Sequence, residues 1–324
     1  MQFKIALIGC GWVSTSCHAP SYLEYAASHG DVVLAACCDV DPQRAADFRK
    51  RYNFQHDYTD YLEMLEIERP HAVCLNVPPT MIADMGCEIM KRGYPLMSEK
   101  PPGLSVAEID RLIAAAESSQ VIHQVAFNRR YMPLMTDLKA RLASQAIHHI
   151  EGRLTRVHRT DPQFATTAIH MIDAARYLMG CDYQQVTLFF QELPKIGPGV
   201  ANFKLEGRFT NGTTVHIDIF PLAGVNVEQF MLYAIDQTII LDAFNGPDSP
   251  GHLHLFDHGQ LTVNLDAHQL TQRREAYFLN GFYHEAAAFF DAVQAGTQLA
   301  HGFQSCRQSI EIMQSLLDRK TNCL

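Results

Sequence analysis

Two short stretches of this chain carry residues that could do chemistry with a bound dinucleotide. In IALIGCGWVS, residues 5–14, an apolar run leads into Gly9 and Gly11. In SEKPPGLS, residues 98–105, Lys100 directly follows an acidic residue. Glycines between a strand and a helix let the backbone approach a pyrophosphate, and a lysine ammonium stabilises negative charge on a reacting oxygen. The first stretch therefore predicts a cofactor loop, and the second follows a predicted strand, which places Lys100 at the carboxyl edge of the sheet, where ligands of such folds bind.

Asp39 ends the apolar run VVLAACC, the predicted second strand. A carboxylate at this point accepts hydrogen bonds from ribose hydroxyls and repels a 2′-phosphate. Because Val40 follows and no arginine or serine stands beside it, the sequence favours NAD(H) over NADP(H). Ser14 stands where a third glycine is common, and a small residue is sufficient for the helix–strand packing there. A pair of turn glycines with a helix-capping aspartate is the alternative interpretation.

The elements that must position these residues follow from the pattern of apolar runs. Through the first 120 residues, strand-like runs alternate with helical ones, which is typical of a parallel sheet covered on both faces. From about 184 to 264, period-two patterns broken by Asn211-Gly212 and His258-Gly259 predict antiparallel hairpins. The predicted class is α/β: a doubly wound Rossmann domain, 1–123, followed by an α+β domain with a large open, mostly antiparallel sheet, 124–324.

Composition excludes several classes of partner. Lys and Arg number 26 against 35 Asp and Glu, and no basic cluster predicts a nucleic-acid or anionic membrane surface. Apolar stretches are far shorter than the ~20 residues that cross a bilayer. The start, MQFKIALIGCG, has the pattern of a strand and turn rather than a signal peptide. Nine cysteines without a C-x-x-C motif predict reduced thiols and a cytoplasmic location. The open face of the second sheet predicts a homodimer or homotetramer.

A metal site is one interpretation of a histidine cluster near the end of the second sheet. His252, His254 and His258 form H-x-H-x-x-x-H, and alternate residues of a strand share a face. Three imidazoles can hold zinc. However, the cluster flanks a hairpin tip far in sequence from the glycine loop and the lysine. We therefore predict a polar hairpin face and no metal.

Several motifs together resemble one known family. GCGWVS, the strand-end Asp39, NVPP, EKPPGLS and AFNRRYMP occur in this order. They are similar to the Gfo/Idh/MocA oxidoreductases, and FNRRYMPL with IHMIDAARYLMG is similar to the virulence-factor (MviM-like) bacterial branch. The resemblance is dense over residues 1–180 and continues beyond them mainly as a pattern. It implies hydride transfer between a nicotinamide cofactor and a hydroxyl- or keto-bearing carbon of a sugar or cyclitol, hence a small polyhydroxylated substrate.

The resemblance also implies roles for individual residues. Lys100 matches the catalytic lysine, which hydrogen-bonds the reacting oxygen, and a surface lysine paired with Glu99 is the alternative. His170 matches a histidine that binds substrate or relays a proton, and a core histidine is the alternative. The positions expected to contact the cofactor are Gly9, Gly11, Trp12, Val13, Asp39, Val40, Asn76, Pro78, Glu99, Lys100 and Asn128.

The sequence departs from the family pattern beside the histidine. Four residues before His170 the family has an aspartate, and this chain has Thr166, which carries no charge. Asp173, one turn later, either compensates by contacting substrate or anchors the helix. Further candidates for substrate contact are Arg129, His158 and Arg159. The departure keeps a second function open, a catalytically impaired nucleotide- or sugar-binding protein that serves as a sensor or accessory subunit.

Overall fold

The structure is a computed structural model that describes residues 2–143, 145–243 and 251–324. Its strands are β1 (Phe3–Ile8), β2 (Val32–Cys38), β3 (His56–Tyr58), β4 (Ala72–Leu75), β5 (Leu96–Ser98), β6 (His123–Val125), β7 (His149–Thr155), β8 (Tyr183–Glu192), β9 (Ala201–Phe209), β10 (Thr214–Phe220), β11 (Val227–Ala234), β12 (Gln237–Asp242), β13 (His252–Asp257) and β14 (Gln260–Asp266).

Its α-helices are α1 (Ala19–Ser28), α2 (Pro42–Tyr52), α3 (Tyr61–Glu68), α4 (Pro79–Lys91), α5 (Val106–Ser119), α6 (Pro133–Leu142), α7 (Ala165–Met179), α8 (Ala267–Thr271), α9 (Ala276–Leu279), α10 (Phe282–Ala295) and α11 (Arg307–Leu317). A π-helical turn, Ser14–His18, precedes α1, and 3₁₀ turns span Asn128–Tyr131 and Phe303–Cys306.

The first sheet is parallel throughout and has the order β3-β2-β1-β4-β5-β6. Chain order reverses between β1 and β4, and ligands of such sheets bind at the carboxyl ends of the strands near this point. The glycine loop follows β1, Asn76 follows β4, and Glu99 follows β5. The predicted doubly wound sheet is confirmed, and it brings these three segments to one edge.

The second sheet has the order β14-β13-β12-β11-β7-β10-β9-β8. Its described pairings are antiparallel except that between β7 and β10, so the predicted mostly antiparallel sheet is confirmed. The hairpin signals are also confirmed, because Gly212 (φ +90°) and Gly259 (φ +76°) turn the chain between β9 and β10 and between β13 and β14. Strand β7 was not predicted from the sequence, and residues 244–250 of the segment with period-two patterns lie outside the described residues.

The chain divides into two compact units whose boundaries differ from the predicted 1–123 and 124–324. The first unit comprises Met1–Asn128 and Gly281–Arg307, and the second comprises Arg129–Asn280 and Gln308–Leu324. The predicted second domain is contiguous, whereas residues 281–307 belong to the first unit.

Aromatic packing explains why this late segment belongs to the first unit. Phe290 of α10 is fully buried, with its ring centroid 6.3 Å from that of Phe3, 5.2 Å from Tyr22 and 5.1 Å from Tyr25. Burying a phenylalanine is worth roughly 1.5–3 kcal/mol. The segment therefore completes the core beneath β1 and α1. In the described part of the chain, no helix is both long enough and apolar enough to pass through a bilayer.

Candidate functional site

The glycine loop connects β1 to the π-helical turn. Gly9 has φ +95°, and a Cβ atom there would lie 2.1 Å from the carbonyl oxygen of Asn76. Both facts restrict this position to glycine. At Gly11, by contrast, a Cβ atom would meet no described atom within 4 Å. The Gly11 backbone therefore borders open space at the start of a helix, where a pyrophosphate could approach.

Ser14 ties the loop to the next strand. Its buried hydroxyl donates to the Gly9 carbonyl oxygen at 2.5 Å and accepts from the Asn76 amide nitrogen at 3.1 Å. A third glycine could not make these bonds. Asn76, predicted to contact the cofactor, thus supports the shape of the loop through its side chain.

Exposed apolar side chains lie on and beside the loop. Trp12 is 75% exposed, Val40 is 82% exposed, and Val13 is exposed as well. Pro78, just before α4, is also exposed. Apolar groups left in water beside a cleft are typical of ligand-binding surfaces. They fit the flat rings of a dinucleotide.

Asp39 has a different environment from the one the sequence suggested. Its carboxylate accepts from the backbone N–H of Cys10 at 2.9 Å, from that of Asp41 at 3.0 Å and from Arg44 Nη1 at 3.1 Å. No arginine stands beside Asp39 in the sequence, but Arg44 reaches it in the structure. The side chain of Asp41 caps α2 by accepting from the N–H groups of Gln43 and Arg44, and this cap aims the arginine back at Asp39.

A cavity of about 350 Å³ opens next to this carboxylate. Its walls are Cys10, Thr15, Asp41, Gln43, Arg44, Asp47, Phe48, Arg51 and Tyr52. The mixture of two arginines, two hydroxyls and two aromatic rings suits the ribose end of a dinucleotide. Together with the open space at Gly11, the cavity fits the cofactor that the fold implies.

Glu99 and Lys100 follow β5 at the same edge of the first sheet. Glu99 Oε1 lies 2.7 Å from His18 Nε2, and Glu99 Oε2 accepts from the Lys100 backbone N–H at 2.9 Å. Glu99 N–H donates to the carbonyl oxygen of Leu75 at the end of β4. The glutamate therefore fastens the Lys100 backbone to two neighbouring elements.

The charge of Glu99 is stabilised despite its burial. Burial raises the pKa of this carboxyl, but the hydrogen bond and electrostatic attraction of His18, together with Lys100, outweigh it. The net effect holds the pKa of Glu99 below its ordinary value. Lys100 is half-buried. Asn128, the last cofactor candidate, is buried at the start of its 3₁₀ turn.

In the second unit, α7 carries Thr166, His170 and Asp173 at one-turn spacing. Thr166 hydroxyl donates to the carbonyl oxygen of Gln163 at 2.9 Å, so it serves the first turn of the helix. His170 is buried, with 5% of its surface exposed. Thr166 and His170 lie four residues apart on one face, and the threonine adds no charge there.

Asp173 lies in a buried ion pair. Arg130 contacts both of its oxygens, at 2.8 Å and 2.6 Å, and Ser309 hydroxyl donates at 3.0 Å. Asp173 and Arg130 are both almost fully buried. Two opposed charges removed from water in this geometry fasten α7 to the turn 128–131 and to α11. The contacts favour the helix-anchoring interpretation of Asp173 over substrate contact.

Arg129 belongs to a second buried cluster that the sequence analysis missed. Its guanidinium donates to Glu228 of β11 at 3.1 Å and 2.7 Å, and Arg156 also pairs with Glu228. Burial raises the pKa of Glu228, but the two arginines outweigh it and lower that pKa to about 2. No local pattern signals this cluster, because Glu228 occupies an alternate position in an ordinary strand.

The remaining substrate candidates lie in the segment after β7. His158 is exposed and has φ +53°. Arg159 donates to Asp161 at 2.9 Å and to Thr167 hydroxyl at 3.2 Å. Its guanidinium lies 5.3 Å from the ring centroid of Phe164. Arg159 is therefore engaged mainly within its own segment.

The histidine cluster of the second sheet has other contacts. The rings of His252 and His254 stack with centroids 5.9 Å apart, and His258 pairs with Asp257 at 2.7 Å. Within the ranges that the structure covers, no three metal-ligating side chains converge.

A family model matches the first stretch of the first unit. Residues 3–127 match the Gfo/Idh/MocA model, described as an oxidoreductase family with an NAD-binding Rossmann fold. The scyllo-inositol 2-dehydrogenase (NADP(+)) IolU of Bacillus subtilis is 27% identical over 141 residues, 44% of this chain and 42% of that protein. The myo-inositol 2-dehydrogenase of Thermotoga maritima is 26% identical over 212 residues, 60% of this chain and 61% of that protein. The chain thus spans about half the length of the curated relatives it matches.

Solved structures share the fold across the whole length. Levoglucosan dehydrogenase in complex with NADH and levoglucosan has a TM-score of 0.83 at 19% identity, covering 98% of this chain and 97% of that one. A dehydrogenase (MviM) from Clostridium difficile has a TM-score of 0.82 at 15% identity, covering 98% of this chain and all of that one. The match with the Gfo/Idh/MocA oxidoreductase model thus covers residues 3–127 of this chain, and the solved structures extend the likeness of fold to the rest.

Proposed function

We propose that this protein is an NAD(H)-dependent oxidoreductase that transfers a hydride to or from the hydroxyl- or keto-bearing carbon of a sugar, sugar derivative or cyclitol. The observation that carries the proposal is the setting of Lys100. Its N–H is bound by Glu99, and Glu99 is bonded to His18 in the helix that begins at the glycine loop. Lysine and loop thus lie at one edge of one sheet. Relatives named inositol dehydrogenase and levoglucosan dehydrogenase support the substrate class.

Each proposed role follows from the chemistry of the side chain. When bound, nicotinamide supplies or accepts the hydride. The Lys100 ammonium hydrogen-bonds the substrate oxygen and stabilises the negative charge that develops there. On oxidation, the carbon gives up a hydride and the hydroxyl gives up a proton, which we assign to the His170 imidazole. Thr166, Arg129, His158 and Arg159 stay predictions for substrate contact.

The preference for NAD(H) is part of the proposal. It rests on the Asp39 carboxylate, which repels a 2′-phosphate, although Arg44 offsets some of that charge. Titration of the protein with NADH and NADPH, followed by fluorescence and thermal stability, tests it. We expect tighter binding of NADH, and equal or tighter binding of NADPH would contradict the preference.

Catalysis is tested with NAD and a panel of sugars and cyclitols. We expect absorbance of the reduced cofactor to appear with at least one substrate and to vanish in Lys100→Ala, with NADH binding retained. Lys50→Ala, an exposed lysine of α2, is the control. Unchanged turnover in Lys100→Ala would refute the role of this lysine.

A second candidate is a binding protein that has lost efficient catalysis. The observation that favours it is Thr166, whose hydroxyl bonds the backbone where the family has a carboxylate. Thr166→Asp separates the two, because a gain of activity from an inactive parent favours the impaired protein.

A homodimer or homotetramer through the second sheet is also proposed, and light scattering tests it. The cytoplasmic location stays a prediction from the cysteine pattern.

A further inference from the structure

His18 holds Glu99 from a position that the sequence analysis did not single out. It ends the π-helical turn, is fully buried, and lies with its Nε2 2.7 Å from Glu99 Oε1. Tyr22, one turn on, has its hydroxyl 3.2 Å from His18 Nδ1, and the ring of Phe282 meets the imidazole edge-on at 5.2 Å. Because an ionised carboxylate only accepts hydrogen bonds, Nε2 carries the hydrogen and donates it.

Charged and titratable groups from other elements face this pair. Lys100, like His18, stabilises the Glu99 charge. Behind the histidine, burial raises the pKa of Tyr22, and Cys74 of β4, Glu285 of α10 and Glu99 raise it further. A neutral tyrosine therefore backs the imidazole.

We propose that His18 is a positioning residue for Lys100 and acts through Glu99, an inference that rests on the function proposed above. With Oε1 bound to the imidazole, Oε2 is directed at the Lys100 N–H, at 2.9 Å. Both carboxylate oxygens are then engaged, and the backbone from which the lysine side chain starts is fixed. Support of this kind around a reacting group is what sets its geometry.

The π-helical turn explains how the histidine reaches the glutamate. A π turn holds one residue more than an α turn and is often found at functional sites. Here it covers Ser14–His18, between the glycine loop and α1. It thus joins Ser14, which shapes the loop, to His18, which holds Glu99.

Removal of the His18 imidazole should shift the pKa of Glu99 in one direction, upwards. Without it, Glu99 keeps its burial but loses its donor, so its pKa rises. A protonated Glu99 no longer holds the Lys100 N–H with a full charge. In His18→Leu, the acid limb of the kcat/KM profile therefore moves to higher pH by about one unit or more. Glutamine at this position donates a hydrogen bond without charge. The acid limb of the His18→Gln profile should therefore lie between those of His18→Leu and the natural protein.

The pH profile of kcat/KM between pH 4.5 and 9 is the first test. Ser21→Ala is the matched control, since Ser21 lies three residues after His18 in α1, is equally buried and donates to the Cys17 carbonyl oxygen. We expect a shifted acid limb in His18→Leu, partial recovery in His18→Gln and no shift in Ser21→Ala. An equal loss at every pH in both His18 variants would overturn the inference.

A second measurement does not need a substrate. In the natural protein Glu99 has a lowered pKa, so its contribution to stability is present above pH 4.5 and is lost as pH falls below that. In His18→Leu the raised pKa makes Glu99 a penalty that grows as pH rises. The difference in Tm between the two proteins should widen from pH 4 to 7, whereas that for Ser21→Ala stays constant. A constant difference in His18→Leu overturns the inference. A widening difference in a protein without turnover supports the His18–Glu99 link and refutes the proposed function separately.

Discussion

Two buried carboxylates, one in each unit, are stabilised in different ways. Glu99 is held by a histidine and a backbone N–H, whereas Glu228 is held by Arg129 and Arg156. A guanidinium keeps its charge over the whole range in which proteins fold. The arginine cluster therefore holds its carboxylate with two permanent charges, whereas the glutamate beside the candidate catalytic lysine is held by an imidazole and a backbone N–H from two different segments.

The largest effect is expected when Glu228 loses the charge that pairs with the two arginines. Glu228→Gln leaves two partly buried arginines without their counter-charge and should lower the free energy of unfolding by about 3–5 kcal/mol. Urea denaturation measures this. Glu206→Gln, an exposed glutamate in the same sheet, should change it by less than about 0.5 kcal/mol. Equal losses of unfolding free energy in the two variants would show that the buried cluster stabilises the protein no more than an exposed glutamate does.

The pH dependence of that loss sharpens the comparison. Because the pKa of Glu228 is about 2, its stabilisation is present above the ordinary glutamate pKa and is lost only as pH falls towards 2. The difference between the natural protein and Glu228→Gln should be constant from pH 8 to 5 and shrink below about 4.5. Thermal unfolding at several pH values measures it. A difference that already declines between pH 7 and 5 would contradict permanent pairing.

A somewhat smaller effect is expected at the other buried pair of the second unit. Asp173→Asn keeps the shape but loses the charge facing Arg130, and should cost about 2–3 kcal/mol of stability. Because Asp173 is enclosed, KM should hardly change. Asp161→Asn, which is more exposed, serves as the control. A raised KM with unchanged stability would show instead that Asp173 contacts the substrate.

The smallest effect concerns Asp39, a third carboxylate, paired with a half-exposed arginine. Arg44→Ala should weaken NADPH binding several-fold relative to NADH, because exposed ion pairs are worth about 1 kcal/mol or less. Lys50→Ala, on the same helix, should leave the ratio unchanged. Fluorescence titration with both cofactors measures it. Equal weakening of both would mean that Arg44 lies away from the 2′ position.

The local sequence pattern was sufficient to predict which strands and loops form the framework of the candidate site. Gly9 and Lys100 each stand next to a strand whose continuous apolar character marks it as buried in a parallel sheet. Their common edge then follows from topology alone, without any knowledge of side-chain contacts. Asn211-Gly212 located a hairpin for a similar reason, since its turn chemistry is local.

What could not be predicted depends on partners distant in the chain. His18 meets Glu99 across 81 residues, and Arg129 meets Glu228 across 99. Arg44 is near Asp39 in sequence but reaches it only because the helix cap turns it back. The pattern of apolar residues indicates burial and periodicity. It does not show which polar groups form hydrogen bonds or ion pairs with one another once the chain has folded.

The placement of α10 in the first unit has a consequence for synthesis on the ribosome. Phe290 fills the core beneath β1 and α1, yet it is made long after Asn128, where the first stretch of that unit ends. At ordinary translation rates, roughly ten to thirty seconds separate the two. During that interval the first unit lacks the helix that packs on the rings of Tyr22 and Tyr25, so its core is completed only when α10 emerges.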